Sequence, residues 1–386
     1  MTIPNLKKME AEWDKRGYYL VSGKKYYSKL QAIAAVKNND FPTFIFNDTE
    51  YSSANWAVEP EESLQEIYRQ RALQLRQKYD HLVLCFSAGA DSTNILHSFL
   101  YNNIPIDEIL VYGPFDTTQG RDGKFGSKGG EFGYREIDLL ALPYLREISK
   151  KYKFKVTEYS WSKDVLNGFK NSDWVWSQVN ARMSPSIIGR NNLHKQVNFL
   201  KLADRGIKTG FIFGIDKPRV LLKDNEYYCS FLDLSLQNSI GLSGIASGSE
   251  WEFDEYFYWT PDMTKIVVKQ THLIKNYIKQ RPECAPLVEN SDKAIWGAHR
   301  DNYHDLVNRI IYPTWDPNTW QPGKSKLGFT YSENDSWFWN SGNTQAIETW
   351  KAGINEVRKN IDSKWFNKGD PDHGFVGGWS KWYKIG

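Results

Sequence analysis

Cysteine is scarce in this chain: Cys85, Cys229 and Cys284 are the only three in 386 residues, and no two are close in sequence. That spacing excludes a disulfide framework and a cysteine-rich zinc site, and it predicts a reducing, cytoplasmic setting. Long apolar runs are missing too, since none approaches the roughly 18 residues a membrane-spanning helix needs. The first residues, MTIPNLKKMEAEWDKRG, are charged from the start and lack the apolar stretch of a signal peptide. Neither sign of charge dominates. Lys+Arg 49 against Asp+Glu 46 leave a formal +3, a balance that selects no partner because a local basic patch can form at any net charge. Internal repeats and low-complexity tracts are absent.

What the chain has in excess is aromatic: 16 Trp, 22 Tyr and 20 Phe. Rings in such number read as core and interdomain packing, or as a stacking surface for bases or sugars. The hydrophobic 40% and charged 25% are globular values, and the length implies two or three domains.

Periodicity divides the sequence into three parts. Residues 1–78 carry Tyr-rich strand candidates (Gly17–Val21, Thr43–Asn47) and a polar helix over about Pro60–Lys78. Residues 79–240 alternate. The apolar run HLVLCF is followed by a turn, then a helix with Ile95, Leu96, Phe99 and Leu100 at helical spacing, then a strand at Ile109–Tyr112. Strand, helix and strand at this spacing make a βαβ unit and imply a parallel sheet. A helix over Tyr134–Tyr152 kinked at Pro143, a strand at Lys155–Tyr159, a helix at Leu193–Asp204 and a strand at Thr209–Ile215 continue the series. The expected fold class is α/β, a doubly wound parallel sheet. Residues 241–386 are expected to be a Trp-rich, mainly helical region, with Lys265–Ile278 and Gln345–Ile361 as amphipathic helices. The Gly-rich stretch 113–133 is a loop of functional length.

The chemistry concentrates at Ser87-Ala88-Gly89-Ala90-Asp91-Ser92, where a buried strand turns into a helix. A helix N-terminus presents unpaired N–H groups and partial positive charge, which suits a phosphate. Gly89 allows close backbone approach, and Ser87, Ser92 and Thr93 supply hydroxyls. Asp91 beside phosphates makes sense as a partner for Mg²⁺. The alternative is an Asp/Ser helix cap with no ligand.

LCFSAGADSTNIL resembles the SGGxDS signature of the pyrophosphate-loop (PP-loop) ATP pyrophosphatases, which include the synthetase domains of asparagine, GMP and NAD synthetases. It is not a Walker loop, because no GKS or GKT follows the glycine. Ala88 departs from the family's glycine. The resemblance, over roughly 79–235, implies a HUP/PP-loop-like fold that binds ATP and Mg²⁺ and cleaves ATP between its α- and β-phosphates. A substrate oxygen would be adenylated, and an amine nucleophile would then displace AMP. By the same resemblance Ser87, Ala88, Gly89, Ala90, Asp91, Ser92 and Thr93 would hold the pyrophosphate, and Val111, Tyr112, Gly113 and Pro114 would lie against adenine. Asp216 in FGIDKPRV loosely resembles a late aspartate of the asparagine synthetase group, and it also reads as part of a solvated charged turn. It would join Asp91 on the metal, with Lys217 and Arg219 neutralising the departing pyrophosphate. Arg190, His194 and Lys195, and then Glu131 and Arg135, are weaker candidates; each also reads as a charged loop.

Cysteine usage sets aside the thiolating and zinc-dependent relatives, and Cys284 lacks the context of a sulfonucleotide reductase. The stretch before the loop is shorter than a glutaminase domain, and Thr2 stands where such synthetases often carry a cysteine. An adenylating ligase that takes its amine directly remains, acting on a small-molecule or nucleotide acceptor. The layout is also similar to PP-loop proteins of tailed bacteriophages, which would put it in the host cytoplasm. Two other readings stay open. One is a non-catalytic nucleotide-binding or structural module. The other is a nucleic-acid-modifying enzyme that grips a strand through Lys364, Lys368, Lys381 and Lys384 among Trp365, Trp379 and Trp382. That cluster also reads as a packed tail.

Overall fold

A computed structural model describes residues 6–37, 40–115, 136–177, 183–190, 197–233, 250–289, 298–315 and 335–386. The chain opens with a small antiparallel sheet of β1 (Tyr18–Val21), β2 (Lys24–Tyr26) and β3 (Thr43–Ile45), in the order β2-β1-β3. Helix α1 (Leu64–Lys78) follows, started by Ser63, whose hydroxyl accepts the Glu66 N–H at 3.2 Å.

The central sheet then begins with β4 (His81–Cys85), α2 (Ala90–Leu100) and β5 (Glu108–Gly113). Leu82, Val83 and Leu84 are fully buried, as expected of a parallel strand covered on both faces. The kink predicted at Pro143 is a π-helical turn, Glu136–Ala141, running into α3 (Leu142–Ile148). Strand β6 (Lys155–Ser160), helix α4 (Val197–Asp204) and β7 (Thr209–Phe213) complete the expected alternation.

Several features lie outside the expected pattern. A hairpin of β8 (Arg219–Lys223) and β9 (Glu226–Ser230) follows β7 directly. Asp224 and Asn225 both take positive φ in its two-residue turn, 51° and 59°, the backbone that matches strand twist in tight hairpins. The alternation also does not stop near residue 240: β10 (Glu252–Tyr256) joins the central sheet as a fifth parallel strand. Its sequence, EFDEY, hides the strand because Glu252 and Glu255 are buried. Arg71 and Lys78 from α1 answer the Glu255 carboxylate at 2.9 and 2.7 Å. The C-terminal region keeps its two predicted helices, α5 (Lys265–Gln280) and α7 (Thr344–Asn360). Between them lies an unpredicted one, α6 (Ala298–Ile311). The chain ends in β11 (Tyr383–Ile385), which pairs with β9.

The fold is therefore α/β, with a five-stranded parallel sheet in the order β10-β7-β4-β5-β6. From β4 the chain proceeds to β5 and β6 on one side, then crosses back to place β7 and β10 on the other. Connections leave β4 and β7 in opposite directions, the arrangement beyond whose strand C-termini open α/β sheets carry their ligand crevice.

The aromatic excess is largely core. One buried cluster runs from Tyr19 to Ile385 and draws on all three stretches of the sequence, with Trp56 stacked on Tyr383 at 5.0 Å. A second gathers Trp161, Trp174, Trp337 and Trp350 around α7. No helix among the described residues is long and apolar enough to cross a membrane.

Candidate functional site

The loop after β4 is shaped by backbone conformation more than by side-chain capping. Ser87 is exposed, and Ala88 and Gly89 lie beneath it. Gly89 is the N-cap of α2 in extended conformation and offers no side-chain acceptor to the first turn. The hydroxyls fold inward on long hydrogen bonds. The Ser87 N–H donates to Ser92 Oγ at 3.3 Å, the Gly89 N–H to Ser87 Oγ at 3.4 Å, and Ser92 Oγ to the Gly89 carbonyl at 3.2 Å. Bonds of that length are readily exchanged for a ligand's oxygens. Thr93 is buried, and its N–H donates to the Gly89 carbonyl.

Ala88 occupies the left-handed region, with φ 55°. That conformation costs an L-residue about 1–2 kcal/mol, part of which is offset by the lower unfolded-chain entropy of alanine relative to glycine. Ala88→Gly is expected to raise the unfolding free energy by about 1 kcal/mol. Urea titration of the two proteins checks this, and a less stable variant would show that Ala88 bears no strain.

Asp91, one residue into α2, meets the segment that follows β7. Lys217 Nζ donates to both carboxylate oxygens, at 2.8 Å to Oδ1 and 3.0 Å to Oδ2. Their side chains are 5% and 24% exposed, so the pair is buried on the lysine side and open on the aspartate side. The close approach depends on Gly214, where a Cβ would stand 2.9 Å from Asp91 Cβ and 3.2 Å from its backbone carbon. Asp216 accepts the Lys217 N–H at 2.7 Å and stands 3.8 Å from the Arg219 guanidinium. Arg219 is buried over the Tyr303 ring, and its Nε and Nη1 have no hydrogen-bond partner among the described residues. Such orphaned donors are costly unless an acceptor arrives.

Two residues overlooked in the sequence complete the surroundings. The Tyr312 hydroxyl, just past α6, donates to Asp91 Oδ1. The Tyr258 hydroxyl donates to the Asp91 carbonyl at 2.9 Å and accepts from Asn94 Nδ2 at 2.9 Å. Burial pushes both phenols well above their ordinary pKa, so both remain donors. No short motif marks either tyrosine. Their only sequence signal is membership of an aromatic-rich chain.

The structure thus brings Ser87–Thr93 together with Lys217, and Asp216 with Arg219. Of the residues assigned to adenine, Val111 is fully buried and offers only backbone, Gly113 and Pro114 are buried, and Tyr112 is partly exposed. The Arg190 side chain, His194, Lys195, Glu131 and Arg135 lie outside the described residues. In the C-terminal tail Lys384 pairs with Glu226 at 3.1 Å and Lys364 with Asp362 at 3.5 Å. Lys381 donates to Ser52 Oγ at 3.0 Å, and Trp365 and Trp379 pack against the second cluster.

The Asp91 carboxylate, the N-terminus of α2 and Lys217 thus meet at one place, with Asp216 and the buried Arg219 following in the same segment. That set suits a polyanion accompanied by a divalent cation. No family model matches the chain, and no curated protein resembles it in sequence.

Proposed function

We propose that the chain binds ATP at the crevice between β4 and β7 and cleaves it to AMP and pyrophosphate, activating a substrate oxygen for an amine nucleophile. The observation that carries the reading is the meeting of two segments distant in sequence, the Ser87–Ser92 loop and Asp216–Arg219, at the point where the strand order reverses. Ligands of open α/β sheets bind there. The unpartnered Nε and Nη1 of Arg219 fit a bound oxyanion, which would supply the missing acceptors.

The PP-loop likeness of the segment then assigns roles. The N–H groups at the start of α2 and the hydroxyls of Ser87 and Ser92 hold the β- and γ-phosphates. An acceptor oxygen attacks the α-phosphorus, the α–β bridge breaks, and pyrophosphate leaves against Lys217 and Arg219, whose charges stabilise it. Asp91 and Asp216 suit a magnesium ion carried in with the nucleotide, since such ions take one or two carboxylates and fill their shell with phosphate oxygens and water. Among the described residues no group of three or more His, Cys, Asp or Glu builds a resident metal centre. The ion, when bound, would screen charge on the phosphates.

Incubation with ATP, Mg²⁺ and a panel of carboxylate and carbonyl acceptors, with nucleotide products resolved, tests the reading. AMP and pyrophosphate are expected, and Asp91→Ala should slow their release by about 10²–10³-fold, the usual effect of removing one charge-stabilising group. ADP and phosphate as products would reject it. A second reading, nucleotide binding without turnover, is favoured by one observation: Asp91 already carries bonds from Lys217 and Tyr312. Tight ATP binding with no turnover on any acceptor would select it.

A further inference from the structure

The segment from Ile311 to Thr314 crosses the loop helix as a strap, held at three points. Tyr68 of α1 donates to the Ile311 carbonyl at 2.8 Å. Tyr312 donates to Asp91 Oδ1. Thr314 Oγ1 lies 2.9 Å from Nδ1 of His97 on α2. The middle contact differs from the outer two because it falls on the carboxylate facing the crevice.

The two oxygens of Asp91 are not equivalent. Among the described residues Oδ1 takes both Tyr312 and the shorter Lys217 bond, whereas Oδ2 takes only the 3.0 Å bond from Lys217. A neutral phenol on Oδ1 costs an incoming cation nothing in charge repulsion, and it fixes the carboxylate plane. The ring is buried against Tyr258, with centroids 5.7 Å apart, so the hydroxyl is held by packing rather than by the bond alone. Hydrogen bonds of this kind orient metal-binding side chains, and losing one weakens metal affinity by about 10–100-fold.

We infer that Tyr312 is a positioning residue that reaches in from the C-terminal region. It fixes the Asp91 carboxylate through Oδ1, so that Oδ2 can pass from Lys217 to the divalent cation that accompanies nucleotide. The inference rests on the ATP-binding reading. Released from Asp91, Lys217 Nζ is free to turn to phosphate oxygens, so one exchange arms both groups. The C-terminal region then belongs to the site, not to a separate module.

Equilibrium binding of ATP, measured with Mg²⁺ and with EDTA, separates this role from scaffolding. Tyr312→Phe keeps the ring and its packing. It is expected to reduce the Mg²⁺-dependent gain in ATP affinity by about 10-fold or more, while affinity in EDTA stays within about twofold. Tyr68→Phe removes a hydrogen bond that holds the same strap without touching Asp91, and should keep the full gain. In an Asp91→Asn background, where the metal-binding charge is already gone, Tyr312→Phe should add nothing further. An undiminished Mg²⁺ gain in Tyr312→Phe, or equal losses in Tyr312→Phe and Tyr68→Phe, would overturn the assignment. Should Tyr312→Phe melt too early to assay, Tyr312→Met, which fills much of the same space without a donor, takes its place, and an undiminished Mg²⁺ gain there overturns the assignment in the same way. Absence of ATP binding by the unaltered protein would instead overturn the functional reading, and this assignment with it.

Discussion

Replacing Lys29 with methionine is expected to lower the unfolding free energy by about 3–5 kcal/mol, the usual cost of stranding one member of a buried ion pair. Asp233 is fully buried, and its Oδ2 accepts from Lys29 Nζ at 2.6 Å and from the Tyr19 hydroxyl at 2.7 Å. Its Oδ1 accepts the Gly378 N–H at 2.8 Å, and Lys29 also donates to the Val376 carbonyl. The node ties β1, the short helix Lys29–Ala34, the segment after β9 and the C-terminal tail to one point. Methionine is one atom shorter than lysine and fills most of its space, so the loss reports mainly the charge. What remains is an anion with two neutral donors and no route to water. A second change, Asp233→Asn, removes that charge and is expected to restore more than half of the loss. Urea unfolding followed by tryptophan fluorescence measures both. A single variant within about 1 kcal/mol of the parent would mean that water reaches Asp233.

Acid is expected to weaken the fold well before carboxylates titrate, because of His97. This residue is buried on α2 between Thr314 Oγ1 at 2.9 Å and the Tyr144 hydroxyl at 2.6 Å, with Tyr101 stacked on its ring at 4.3 Å. Burial pushes its pKa down to about 4, against about 6.5 in an unfolded chain. Between those values the unfolded chain binds a proton that the folded protein refuses. Stability is therefore complete above about pH 6.5, falls as pH drops, and stops falling on this account below about pH 4. The full loss is about 3 kcal/mol. His272, also pushed down chiefly by burial, acts in the same direction, so the diagnostic is a difference in slope. Urea midpoints at pH 7, 5.5 and 4.5 should fall more steeply for the parent than for His97→Gln, and matching slopes would refute the assignment. The strap that carries Tyr312 rests on His97 through Thr314. Its hold on Asp91 is thus expected to loosen only as pH approaches about 4, where His97 takes up its proton in the folded protein.

How much of this was legible beforehand differs from element to element. Strand β4, the turn and α2 could be read directly, because a strand buried on both faces is written as an unbroken apolar run and the turn by its small residues. Strand β10 could not. Glu252 and Glu255 read as solvent-facing until Arg71 and Lys78 of α1 stand beside Glu255, and those partners lie more than 170 positions away. The β8–β9 hairpin hid for a milder reason: its turn uses Asp224 and Asn225, without the glycine that usually announces such turns.

Within the candidate site, residue types were visible and their contacts were not. The sequence by itself determined the βα alternation and the phosphate-suited turn with Asp91, since these rest on periodicity and turn chemistry inside short windows. Only the tertiary structure decided that β7 lies beside β4, and hence that Lys217 closes on Asp91 and that Tyr312 reaches it from beyond α6. Strand order and the burial of distant side chains set those contacts, and no local pattern encodes either.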